Sequence, residues 1–127
     1  MIYTSYFANL KKLPPLMVPI SICGKAPSWY GGLEYKVLAP KYDFFMQWKE
    51  NGDNDYYIEQ FNSRVLGSLC AKRIEFELYE LATKVNPLCK DICLICYEKP
   101  SDFCHRHLVA EWLNKNGIDC WEWKDSD

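Results

Sequence analysis

The sequence predicts a small α/β layer fold, one domain over residues 1–127, with a mostly parallel sheet of four or slightly more strands flanked by helices. Three observations carry that prediction. Four runs of β-favouring or alternating residues are separated by segments whose apolar positions recur at helical spacing. The most apolar run, residues 92–97, is uncharged and rich in Ile and Cys, as a strand covered on both faces requires. A helical segment of crossover length leads from it to the last run, the kind of connection that parallel neighbours need.

Residues 2–7 alternate Tyr3, Ser5 and Phe7 against Ile2, Thr4 and Tyr6, a short first strand. Lys11, Lys12, Pro14 and Pro15 then form a linker that cannot stay helical for long. Residues 16–23 make a second apolar strand that ends in the small residues Ser21 to Gly24, where backbone can approach a ligand. Residues 26–40 read as an irregular loop around Trp29 and Tyr30, punctuated by Pro27, Gly31, Gly32 and Pro40. A loop this long is either functional or an Ω-loop packed by its own aromatics.

Helices are expected over 42–51, closed by Gly52, and over 55–66. Residues 70–85 carry the clearest amphipathic pattern, with Ile74, Leu78, Leu81, Ala82 and Val85 inward, and Asn86-Pro87 ends it. After the strand at 92–97, Pro100 and Ser101 break the chain, and Ser101 or Asp102 is placed to cap a helix that runs to Asn116. Its first turn carries Cys104, His105 and Arg106, and the stripe Cys104, His105, Leu108, Val109 and Trp112 is expected to face the sheet. Residues 118–123 make an edge strand with one aromatic face, Trp121 and Trp123, and the last few residues are expected to be disordered.

The apolar half of the composition is enough to build a core without staples. With a net charge of −2 and scattered Lys and Arg, the chain lacks the dense basic footprint of a duplex binder, which leaves room only for a local pocket around one phosphate. The seven cysteines are odd in number, two of them lie inside a strand, and no signal peptide is recognised. Reduced thiols in the cytoplasm are therefore expected rather than a disulfide framework. No apolar run approaches a membrane span, and no cofactor is expected.

The sharpest candidate site lies where Cys104, His105 and Arg106 open a helix beside the carboxyl end of the central strand. Open α/β sheets bind ligands at that edge, and a helix N-terminus carries about half a positive charge. On a thiol reading Cys104 is the nucleophile, its pKa lowered by the helix start, while His105 or Glu98 moves a proton and Arg106 holds a phosphate or carboxylate. The Cys-x5-Arg loop of cysteine phosphatases is missing. On a metal reading Cys93 and Cys96 fail, since residues three apart on a strand point to opposite faces. Cys96, Cys104 and His105 remain as the one workable nucleus, and no metal site is expected.

The leading expectation is recognition of a nucleotide, a nucleic-acid end or another phosphorylated ligand. The helix start, Arg106 and the small-residue strand ends supply an anion pocket, and Trp29, Tyr30 or Tyr97 can stack on a base. Against it stands a protein-interaction module whose motif is structural: His105 bonded to Glu98, Arg106 paired with Glu98 or Asp102, His107 facing solvent, and Cys70, Cys93 and Cys120 as packing residues.

The string Ile95-Cys96-Tyr97-Glu98-Lys99-Pro100, with Phe103-Cys104-His105-Arg106 and the run from Leu108 to Leu113, resembles the signature of domain of unknown function family 488. That signature is a hydrophobic strand ending in Cys-aromatic-Glu, a short turn, and a Cys-His-Arg triplet opening a helix. Ile20-Ser21-Ile22 with Pro27, and Leu38-Ala39-Pro40, resemble the family's N-terminal half. The resemblance covers nearly the whole chain. It implies this fold and marks Cys96, Glu98, Cys104, His105 and Arg106, with Ser21 a weaker match, but it implies no reaction. At Cys23-Gly24 the chain departs from members that carry a basic or polar residue there.

Overall fold

The computed structural model describes residues 1–125, and every strand pairing in it is parallel. The strands β1 (Ile2–Tyr6), β2 (Met17–Ser21), β3 (Leu33–Glu34), β4 (Asp91–Cys96) and β5 (Cys120–Glu122) form one sheet in the order β3-β2-β4-β1-β5. The sheet thus has one strand more than the four that the sequence pattern shows. The addition, β3, lies inside the stretch read as irregular, and two residues leave no periodicity to detect. The expected disorder at the chain end falls partly on Ser126 and Asp127, outside the described residues.

The topology explains where a ligand can enter. From β1 to β2 to β3 the chain steps toward one edge of the sheet, and from β3 to β4 to β5 it steps toward the other. Right-handed crossovers put steps of opposite direction on opposite faces. Accordingly Ile92 and Leu94 of β4 share a core with Ile74, Leu78, Val109 and Leu113 of the long helices, while Cys93 and Ile95 pack with Phe7, Leu10 and Leu13 around the short 3-10 turn Phe7–Lys12. β4 sits in the middle, with Ile92 to Cys96 all buried, and so bears out its reading as a doubly covered strand. Between β2 and β4 the two directions diverge, which opens a crevice beyond their carboxyl ends.

The helices follow the apolar periodicity with local exceptions. α1 (Tyr42–Asn51) ends at Gly52, whose φ of 64° is the left-handed conformation that glycine adopts without penalty. α2 (Asn54–Phe61) runs into a π-helical turn at Asn62–Leu66, and a Cβ at Gly67 would strike the Ser63 carbonyl of that turn. α3 (Ala71–Val85) buries Ile74, Leu78 and Ala82. Asp53 caps α2 by accepting the Tyr56 amide at 3.1 Å. Asp53→Ala is expected to lower stability by about 1 kcal/mol, read as a shift of the urea midpoint at unchanged slope.

α4 (His105–Lys115) departs from its expected start. Cys104 is the residue at its N-terminal boundary, in extended backbone (φ −155°, ψ 143°), and neither Ser101 nor Asp102 caps it; the Asp102 amide instead turns back to the Lys99 carbonyl at 3.0 Å. Each residue advances a helix face by about 100°. The face turned to the core is that of His105, Arg106, Val109 and Leu113, one step round from the expected stripe, and Leu108 and Trp112 are only half-buried.

Candidate active site at the end of the central strand

A cleft of about 920 Å³ lies over the carboxyl ends of β2 and β4, at the point where the connections diverge. One wall is Cys23, Gly24 and Lys25, which leave β2; another is Cys96, Tyr97 and Glu98, which leave β4; and Cys104 and His105 enter α4 beside them. The start of α1 and the segment before it complete the rim with Lys36, Tyr42, Phe45, Trp48 and Lys49. Three lysines against one carboxylate make the cleft locally cationic in a chain whose net charge is −2. Tyr42 and Tyr97 are exposed there, while Phe45 and Trp48 are partly buried with ring centroids 6.3 Å apart.

At the inner end two sulfurs meet. Cys96 and Cys104 are joined as a disulfide, and their sulfurs together with a ring nitrogen of His105 lie within 4.8 Å of one another. His105 is buried, and its Nε2 is 2.7 Å from the Ile22 carbonyl. A carbonyl only accepts, so Nε2 carries the proton and Nδ1 presents a lone pair, 3.9 Å from the Cys104 sulfur. Burial lowers the pKa of His105 to about 4, which keeps the ring neutral near pH 7. The histidine is thus a fixed acceptor aimed at a sulfur.

Arg106 is fully buried and surrounded by acceptors of its own chain. Its Nε and Nη2 donate to the two carboxylate oxygens of Glu122 at 3.1 and 3.0 Å, and its Nη1 donates to the Glu98 carbonyl at 2.7 Å and to the Cys96 sulfur at 3.1 Å. Thr4 adds a hydroxyl bond to Glu122 at 2.7 Å. Arg106 pairs with Glu122 of β5, where Glu98 and Asp102 were the expected partners. β5 lies beside β1, whose Thr4 is in register with Glu122, and sequence distance does not show that adjacency. Glu122 is the residue that motif reading missed.

The positions singled out in the sequence divide between the cleft and the layer beneath it. Cys96, Tyr97, Glu98, Cys104 and His105 line the cleft. Ser21 and Arg106 are not on its wall: Ser21 is buried and its hydroxyl accepts the Cys23 amide at 3.3 Å, which shapes the exit from β2. Tyr97 is tethered by its hydroxyl to the Lys25 carbonyl at 2.6 Å, across the cleft mouth. Trp29 and Tyr30 pack against Phe7, with centroids 5.9 and 5.3 Å away, and do not line the cleft. Of the three rings expected to stack only Tyr97 lines it, and the other aromatics there, Tyr42, Phe45 and Trp48, belong to a helix read only as a packing element.

Other expectations are corrected here. His107 is half-buried, not solvent-facing, and its Nε2 is buried with no hydrogen-bond partner among the described residues. Trp121 and Trp123 form no continuous core face: Trp121 is exposed, while Trp123 packs partly against the second core cluster. Cys23 also borders the cleft, but burial pushes its thiol up to about 11, so it is a neutral packing thiol at ordinary pH. Burial likewise raises Cys93 and Cys120, which supports their reading as packing residues, whereas Cys70 is exposed and is not one.

Residues 12–117 match the family model DUF488-N3a, described as the active DUF488-N3 subclade. No curated protein matches the chain, and no solved structure does. Among the described residues no helix is long and apolar enough to cross a membrane.

Proposed function

Because the chain belongs to the DUF488 family, we propose that it binds a nucleotide, or a closely related phosphorylated aromatic ligand, in the cleft over β2 and β4 and presents a cysteine thiol to it. The observation that carries this reading is the composition of one concave surface. Lys25, Lys36 and Lys49 supply charge for a phosphate, Tyr42, Trp48 and Tyr97 supply ring faces for a base, and Cys96, Cys104 and His105 close the inner end. The N-terminus of α4 opens at the same place and adds its own attraction for an anion. A motif kept only for helix docking has no need of a cationic, aromatic cleft above it.

Within this reading the residues take distinct roles. Cys96 is the sulfur whose anion is stabilised, because Arg106 donates to it. That assignment moves the nucleophile from Cys104 to Cys96 and makes Arg106 a positioning residue, which works from behind the cleft wall. His105 presents Nδ1 as a neutral hydrogen-bond acceptor, and Glu98 is the cleft's one acidic group.

Calorimetric titration tests the reading. Nucleoside monophosphates are expected to bind more tightly than the matching nucleosides, and the double variant Lys25→Ala, Lys49→Ala to weaken them by about tenfold or more, a loss of about 1.4 kcal/mol. Trp48→Ala should weaken binding by a similar amount, the scale of one lost base–aromatic stack. Nucleotides that neither bind at millimolar concentration nor raise the melting temperature would sink the proposal.

A further inference from the structure

We propose that Cys96 and Cys104 are a reversible dithiol–disulfide couple that exchanges with small disulfides entering the cleft. The couple goes beyond the nucleotide reading and does not depend on it. Four observations carry it. The two sulfurs are bonded in the structure, whereas Cys23 and Cys93, which belong to the same core cluster, are free. Both bonded cysteines are buried, with exposures of 1% and 6%, but lie on the lining of the cleft, whereas the equally buried Cys93 and Cys120 do not. Each sulfur has its own polar neighbour: Arg106 Nη1 donates to Cys96 at 3.1 Å, and the unprotonated Nδ1 of His105 lies 3.9 Å from Cys104. Finally, the bridge spans only eight positions, from the end of β4 to the boundary of α4. Crosslinks that serve stability gain most from long loops, so so short a bridge fits an exchanging pair better than a staple.

The neighbours assign the order of events. Reduced Cys96, held as thiolate by the Arg106 donor, attacks one sulfur of the small disulfide; that bond breaks, and the outer sulfur leaves as a thiolate that takes up a proton. Cys104, its S–H oriented by the Nδ1 acceptor of His105, then attacks the Cys96 sulfur of the mixed disulfide while its proton passes to the departing sulfur, releasing the second small thiol. Two protein thiols are oxidised by two electrons, and one small disulfide is reduced to two thiols. In the oxidised form Cys96 has no thiolate to offer a cleft ligand, while the lysines and aromatic rings are unchanged. The couple therefore switches the thiol and not the binding surface. A soft metal ion is the rival use of the same three groups.

The test is a redox titration of the full chain in glutathione buffers from fully reducing to fully oxidising, with acid quenching, alkylation and mass spectrometry. Cys96 and Cys104 are expected to convert together in a single two-electron transition, while Cys23, Cys93 and Cys120 become alkylated only on unfolding. Cys104→Ser should accumulate glutathione on Cys96, and Cys96→Ser should label at Cys104 at least tenfold more slowly. Equal labelling of the two variants would overturn the assigned order. A pair that stays dithiol, or stays disulfide, across the whole range would overturn the couple, and so would one zinc ion per chain held by the reduced protein. The wild-type titration stands even if either serine variant fails to fold. Nucleotide titration of the same oxidised and reduced samples keeps the two proposals apart, since a lack of binding in both leaves the redox transition untouched.

Discussion

Replacing Arg106 with Ala is expected to cost roughly 3–5 kcal/mol of folding free energy, the largest loss of any single substitution at the site. The guanidinium is completely buried, and its partner Glu122 is largely so, with side-chain exposures of 0% and 16%. Removing the arginine strands a carboxylate that has given up most of its water, and it also leaves the Glu98 carbonyl and the Cys96 sulfur without their donor. Arg106→Lys keeps the charge but not the planar fork, so it cannot serve both Glu122 oxygens and the Glu98 carbonyl together, and most of the loss should remain. Glu122→Gln should be nearly as harmful, since it strands the cation instead. Replacing both partners with apolar residues of similar volume should recover much of either single loss. Urea denaturation of the four variants measures this. A loss below about 1 kcal/mol for Arg106→Ala would show that the pair is not buried as described.

That cluster also shows how far the sequence could be read. The uncharged run at 92–97 announced its central position, because a strand flanked on both sides and covered on both faces admits no charge. Cys96, Glu98, Cys104 and His105 could likewise be placed at one strand end, since the short connection between β4 and α4, residues 97–104, leaves little freedom. Glu122 could not be placed, because it meets Arg106 only after α4 has crossed to β1 and β5 has paired there, and strand order is not written in local spacing. The lysines and rings of the cleft rim were missed for a similar reason. Tyr42, Phe45 and Trp48 have the spacing of any amphipathic helix, and only the tertiary fold turns part of that helix toward the ends of β2 and β4. The two-residue β3 was illegible on simpler grounds: it is shorter than one period of the pattern that identifies strands.

Folding stability is expected to fall steeply as pH is lowered from 6.5 toward 4, because His105 must be buried without a proton. Its pKa is lowered from an ordinary 6.5 to about 4, first by loss of solvent around the ring, while the bond to the Ile22 carbonyl opposes the shift and the Arg106 charge adds to it. Above pH 6.5 the imidazole is neutral in the folded and the unfolded chain alike, and its contribution is fully present. Between 6.5 and 4 the unfolded chain takes up a proton that the folded chain refuses, so each unit of acidification costs about 1.4 kcal/mol, on the order of 3 kcal/mol across the window. His107 acts in the same direction, its pKa also lowered by burial, so the comparison belongs in a His107→Gln background. In that background His105→Gln retains an amide donor for the Ile22 carbonyl and cannot titrate. It should be less stable at pH 7, yet the gap between the two proteins should narrow as the pH falls, with all measurements made at one fixed redox state. Parallel curves would mean that His105 gains its proton without resistance. The ring would then not be held as the buried neutral acceptor beside Cys104, and the hydrogen-bonding role given to it in the cleft and in the second step of the disulfide exchange would fall.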